Sequence, residues 1–169
     1  MIQIKNAAEL QKMRKACAIS AAALKAGGEA IEPGITTAEI DKIIYDFIVR
    51  HGARPNFLHL YGFPATACIS VNDTVIHGIP NKQPQIRPGD IVSIDTGCKN
   101  EGCNGDNACT YACGKIDLEA QRLLDVTKES LHRGIEMACG GNRVGDIGHA
   151  VQSYVEENGF SVVRTFVGH

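Results

Sequence analysis

The sequence has 169 residues, 44% of them hydrophobic and 21% charged, with a net charge of −2. That is enough chain for one compact domain and rarely for two. The balanced charge excludes the broad basic footprint that nucleic acid or an anionic membrane selects, and no apolar run approaches the ~20 residues of a membrane span.

The first residues, MIQIKNAAEL, lack the apolar segment of a signal peptide. The seven cysteines are therefore expected to be reduced thiols of a cytoplasmic protein. Four of them, Cys98, Cys103, Cys109 and Cys113, follow C-x4-C-x5-C-x3-C without the C-x2-C pairs of a structural zinc site, and read as small apolar side chains packed in strands.

In chain order, residues 7–26 read as a helix. Asn6 and Glu9 form a capping box, and Leu10, Met13, Cys17, Ala21 and Leu24 make the apolar stripe. Gly27, Gly28, Pro33 and Gly34 mark the break. A second helix begins at Thr36, with Glu39 three residues on. Ile40, Ile43, Ile44, Phe47 and Ile48 form its stripe, and Gly52 its stop. The period then changes. ATACISV, TVIHG and DIVSIDTG read as short strands, and 103–113 as another after a turn. Asp117 caps a third helix to about Cys139. A fourth covers about Val144 to Asn158 and stops at Gly159, and FSVVRTFV reads as a last strand.

A shift of 107 residues superposes Gly34 on Gly141, Ile40 on Ile147, Ile44 on Val151, Phe47 on Tyr154 and Gly52 on Gly159. The helix–glycine–helix–glycine pattern thus occurs twice. Copy one would span 1–115 and a partial copy two 116–169, within one catalytic domain of 1–169.

Asp95 and Asp106 are the candidate residues for chemistry. A loop at Asn100-Glu101 would place them directly opposite each other, and a loop at Glu101-Gly102 would make them diagonal neighbours. Either register puts both on one face with Ser93 and Ala108. Like charges at such positions repel, and no Lys or Arg lies on that face locally. A divalent cation converts the repulsion into coordination. The spacing alone also fits two exposed edge aspartates, or one aspartate kept protonated. The candidate imidazoles are His51, His59, His77, His132, His149 and His169. His77 stands out because VIHGIP places it at a strand-to-turn transition.

Four ordered stretches, CISVNDTVIHGIP, GDIVSIDTG, NGDNACTY and the terminal FVGH, together resemble type I methionine aminopeptidase. The distances match as well: 18 residues from His77 to Asp95, 11 to Asp106 and 63 more to His169. The resemblance implies an α+β pita-bread fold of two pseudo-symmetric halves, with the second incomplete in this sequence. It implies two divalent metal ions, cobalt, manganese, iron or zinc. Asp95, Asp106 and His169 would be metal ligands, and His77 would be the catalytic, substrate-binding histidine. A metal-bridging hydroxide would attack the first peptide carbonyl. Phe57, Leu60, Phe63 and Cys68 match positions of the methionine pocket, although Leu60 stands where an aromatic is usual. The partners would be N-terminal methionine peptides of nascent chains with a small second residue, with ribosome association a further option and no nucleic acid or membrane.

The family uses two further glutamate ligands, and the sequence ends at His169 before positions that could match them. The expectation is a chain truncated after half to two thirds of the family's length and weakly active by itself. Two other readings compete: a proline dipeptidase of the same fold, and a non-catalytic pita-bread protein that binds partners.

Overall fold

The computed structural model describes residues 3–165. The chain divides into two compact units, Met1–Ile116 and Asp117–His169.

In the first unit, helix α1 covers Ala7–Glu29 and helix α2 covers Thr37–Arg50. Both start on capping boxes, Asn6 with Glu9 and Thr36 with Glu39. The strands are β1 (Arg54–Pro55), β2 (Ala67–Val71), β3 (Ile91–Asn100) and β4 (Cys103–Ala112). They form one antiparallel sheet in which β3 pairs with β4 along one side and with β1 and β2 along the other. Both helices cover the face that carries Ala67, Ile69, Val92, Ile94 and Cys98, closed by Ile40, Ile44 and Ile48.

Helix α1 departs from its expected course in two ways. It runs through Gly27 and Gly28, because these glycines permit close approach and do not break the helix. A Cβ on Gly27 would lie 2.7 Å from Ile44 Cδ1, and one on Gly28 would lie 2.2 Å from the Tyr111 ring. The buried face is also displaced. Ala16, Ser20, Ala23, Leu24 and Gly27 are buried, whereas Cys17 and Ala21 are exposed and Leu10 is 39% exposed. Small residues win this face because the helix backbone lies almost on the sheet. A Cβ on Gly105 of β4 would stand 2.4 Å from the Ala16 carbonyl oxygen. Ser20 Oγ reaches the Thr96 carbonyl at 3.1 Å, where it donates a hydrogen bond.

Two expected strands do not form. TVIHG is irregular chain that follows a turn at Asn72-Asp73, held to β2 by a hydrogen bond from Ile69 N to the Gly78 oxygen (2.8 Å). The described part of FSVVRTFV, up to residue 165, is irregular. β-branched residues favour extended chain, but a strand also needs a partner ladder.

The second unit holds helix α3 (Leu118–Glu136), capped by Asp117, and helix α4 (Val144–Glu157). The 107-residue shift brings several backbone features into register, although α3 starts four residues later than α1 would under it. α2 and α4 share both ends under the shift, and α1 and α3 share their last residue. Gly34 and Gly141 have φ of 98° and 99°, and Gly52 and Gly159 have 70° and 78°. Gly27 meets Ile44 and Ile40, and its counterpart Gly134 meets Val151 and Ile147.

Replacing Gly105 by Ala tests the helix–sheet contact. Ala is favoured over Gly in a strand by about 0.5–1 kcal/mol, but the clash with the α1 backbone costs about 1–3 kcal/mol. The urea midpoint should fall.

Candidate functional site

The β3–β4 hairpin selects between the two registers. Asn100 pairs with Cys103, Gly97 with Asp106 and Asp95 with Ala108. The loop is therefore Glu101-Gly102, with φ of 48° and 84°, the left-handed pair of a type I′ turn. Asn100 stays in the strand, its side-chain amide donating to the Gly52 carbonyl at 3.3 Å. Lys15 holds Glu101 by an ion pair and hydrogen bond.

Asp95 and Asp106 are thus diagonal neighbours on one face, at a spacing of roughly 7–8 Å along such a diagonal. It is the face opposite α1 and α2. Asp95 is half-buried and Asp106 exposed. As expected, Ser93 and Ala108 share the face. Ser93 Oγ lies 2.8 Å from Thr110 Oγ1.

Cys68 on β2 is directly opposite Asp95 and buried. Burial, reinforced by the carboxylates of Asp95, Asp106 and Asp41, pushes its thiol up to about 11. It is therefore a protonated, apolar side chain beside the carboxylates. Phe57 reaches the same face. A Cβ on Gly97, the partner of Asp106, would lie 3.3 Å from Phe57 Cε1 and 3.2 Å from Asn56 Nδ2. Gly97 leaves room for that ring.

Phe57, Leu60 and Phe63 sit on one tight turn around the 3-10 segment Leu60–Gly62. Phe57 and Phe63 are half-buried, and Leu60 is 49% exposed. His59 and Tyr61 take left-handed φ of 68° and 50°, a strained state that clusters at functional segments. The turn closes on itself through His59 N to the Phe63 oxygen, at 2.8 Å, and is tied to β3 by Asn56 N to the Gly97 oxygen, at 2.9 Å.

His77 is exposed, with φ of 55°. Its neighbour Gly78 fixes it to the edge of β2: Gly78 N donates to Ser70 Oγ at 3.1 Å, and a Cβ on Gly78 would stand 2.2 Å from the Ile69 oxygen. His51 stacks on Phe47, with ring centroids 4.1 Å apart, and binds its carbonyl. His132 and His149 are exposed on the second unit.

His169 lies outside the described residues. Among the described residues no group of three or more His, Cys, Asp or Glu is gathered to hold a metal ion, and no helix is long and apolar enough to cross a membrane. The two carboxylates fit a hard divalent cation as part of a ligand set: both are oxygen donors on one open face, and among the described residues no Lys or Arg forms an ion pair with Asp106. Of the four sequence-adjacent cysteines, Cys98 and Cys113 are buried, Cys103 is half-buried and Cys109 is exposed.

Sequence reasoning missed Asp41. On α2, its Oδ1 accepts from both Thr66 N (2.9 Å) and Ala67 N (2.8 Å) at the start of β2. Burial raises its pKa, against the lowering effect of those two amides. A half-buried acid bridging 25 residues carries no local signature in the sequence.

Comparison with known proteins accords with this geometry. The profile of metallopeptidase family M24 matches residues 11–169. The methionine aminopeptidase of Clostridium perfringens is 51% identical over all 169 residues, which span 68% of that protein. Methionine aminopeptidase 1 of Bacillus subtilis is 45% identical, again over 68% of its length. The crystal structure of the Thermotoga maritima methionine aminopeptidase superposes with a TM-score of 0.96 at 38% identity, covering 100% of this chain and 68% of that one. The chain spans about two thirds of the length of these relatives. With a family profile over nearly its whole length and a relative identical at half its positions, the chain belongs to the divalent-metal-dependent metallopeptidases of family M24, among the pita-bread methionine aminopeptidases.

Proposed function

We propose that this protein removes the N-terminal methionine from peptides and nascent chains whose second residue is small, in the cytoplasm. The observation that carries the reading is the diagonal placement of Asp95 and Asp106 on the helix-free face of the hairpin, with Phe57 and Cys68 beside them. The seven free thiols support a reducing compartment.

In this reading Asp95 and Asp106, with His169, would hold one or two divalent ions of cobalt, manganese, iron or zinc. Such an ion supplies Lewis acidity toward the peptide carbonyl and lowers the pKa of water. The remaining work falls to this chain's side chains. Phe57, Leu60, Phe63 and Cys68 line an apolar recess for the flexible thioether. Cys68 remains a thiol, so the recess presents no charge of its own to the methionine. His77, fixed at the edge of β2, hydrogen-bonds the substrate and steadies the tetrahedral carbon. The proline dipeptidase reading is weaker, because the 51% identity is to a methionine aminopeptidase. A purely partner-binding protein has no chemical need for two like charges on one face.

Methionine release from Met-Ala-Ser, followed with and without added manganese or cobalt, tests the function directly; these 169 residues by themselves should release it slowly, and release that no metal accelerates would sink the reading. Asp106→Asn should melt at or above the wild type in the absence of metal, because it removes repulsion. It should lose most of the metal-dependent stabilisation, read as a rise in Tm, which at a hundredfold excess over Kd amounts to about 2.7 kcal/mol in the wild type. Asp95→Asn should likewise lose most of the metal-dependent stabilisation, and either change should cost ~10²–10³-fold in kcat. Gly78→Ala drives the loop off Ile69 and should lower kcat by about 10²-fold while metal still raises Tm. A wild-type kcat in Gly78→Ala would remove His77 from the mechanism.

A further inference from the structure

The 57–68 segment holds all four expected pocket residues and is anchored to the rest of the first unit at both ends. At its start, Asn56 N binds the Gly97 oxygen and Phe57 rests on Gly97. At its end stands Asp41, one turn into α2. Its single oxygen Oδ1 accepts from two consecutive amides, Thr66 at 2.9 Å and Ala67 at 2.8 Å. Ala65, Thr66 and Ala67 are all buried there, so an unmet amide would be costly. Between the anchors the turn is strained, with left-handed His59 and Tyr61. Strain of this kind persists only where the surroundings over-determine it.

We propose that Asp41 is a positioning residue for substrate selection: by pinning the entry of β2 it fixes the spacing between the 57–63 turn and Cys68, and so the shape of the recess that accepts the methionine side chain. The proposal rests on the aminopeptidase reading for the identity of that side chain. Two features make Asp41 more than a generic stabiliser. The bonds it accepts come from the residues directly before Cys68, and Cys68 in turn pairs with Asp95. A shift at Thr66 therefore moves the recess relative to the carboxylates. In addition, one oxygen takes both amides, so asparagine preserves the contact and a longer or shorter side chain does not.

The test compares Asp41→Ala, Asp41→Glu and Asp41→Asn in the whole protein by two readouts. The first is amide hydrogen exchange. The second is the ratio of kcat/KM for Met-Ala-Ser to that for Leu-Ala-Ser, which is independent of the fraction folded and so is unmoved by lost stability alone. Asp41→Ala and Asp41→Glu should speed exchange at Thr66, Ala67 and the 57–63 turn by about tenfold or more while the β3–β4 amides keep their protection, and should lower the ratio by about tenfold. Asp41→Asn should match the wild type in both. Should Asp41→Ala fail to fold, Asp41→Glu carries the comparison. Unchanged exchange over 57–67, a uniform rise across the sheet, or an unchanged ratio in a variant whose turn has loosened would each overturn the proposal. Absence of methionine release by the wild type would sink the aminopeptidase reading instead, and the exchange pattern would still decide whether Asp41 holds the turn.

Discussion

Two negative charges on neighbouring strands set the terms for this protein. A hairpin keeps Asp95 and Asp106 on one face because its loop has two residues in left-handed conformation, Glu101 and Gly102. That loop type matches the right-handed twist of the strands and locks the ladder from Asn100–Cys103 to Ile91–Ala112. A slip of one residue would send one strand's side chains to the helix face. There Asp106 would meet the α1 backbone that now lies against Gly105. Repulsion between the acids is thus held in place by backbone geometry, and a divalent cation bound to the face would relieve it.

Glycine does much of the remaining placement, by absence of a side chain. Gly27 lets α2 press on α1, and Gly105 lets α1 press on β4. Gly97 admits the Phe57 ring beside Asp106, and Gly78 brings the His77 loop onto β2. Two of these contacts build the core face and two build the open face, so the sheet acts as a rigid plate between packing and chemistry. The second unit repeats the core device: Gly134 takes Val151 and Ile147 as Gly27 takes Ile44 and Ile40. One local rule, a glycine under a β-branched stripe, sets both helix pairs.

Much of this was legible in advance. The capping boxes at Asn6 and Thr36, the stop at Gly52 and the cap at Asp117 are local hydrogen-bonding instructions, and each helix begins or ends where they point. The shared face of Asp95 and Asp106 follows from strand period in either register. The errors have a common source. The expected α1 stripe runs through Cys17 and Ala21, whereas the buried face takes the smaller Ala16, Ser20, Ala23 and Gly27 beside Leu24. TVIHG has strand composition, yet its backbone turns so that Gly78 can dock and His77 can take φ of 55°.

The sequence by itself determined the four helices, the 107-residue echo and the pairing of two acids on one hairpin, because caps, periodicity and side-chain alternation act over a few residues. Only the tertiary structure decided the diagonal register, the close seat of α1 on the sheet, the Phe57–Gly97 contact and the grip of Asp41 on Thr66 and Ala67. Those depend on how near two distant backbones can approach and which buried amides then lack a partner. Such distances arise when the chain packs, and no stretch of neighbouring residues encodes them.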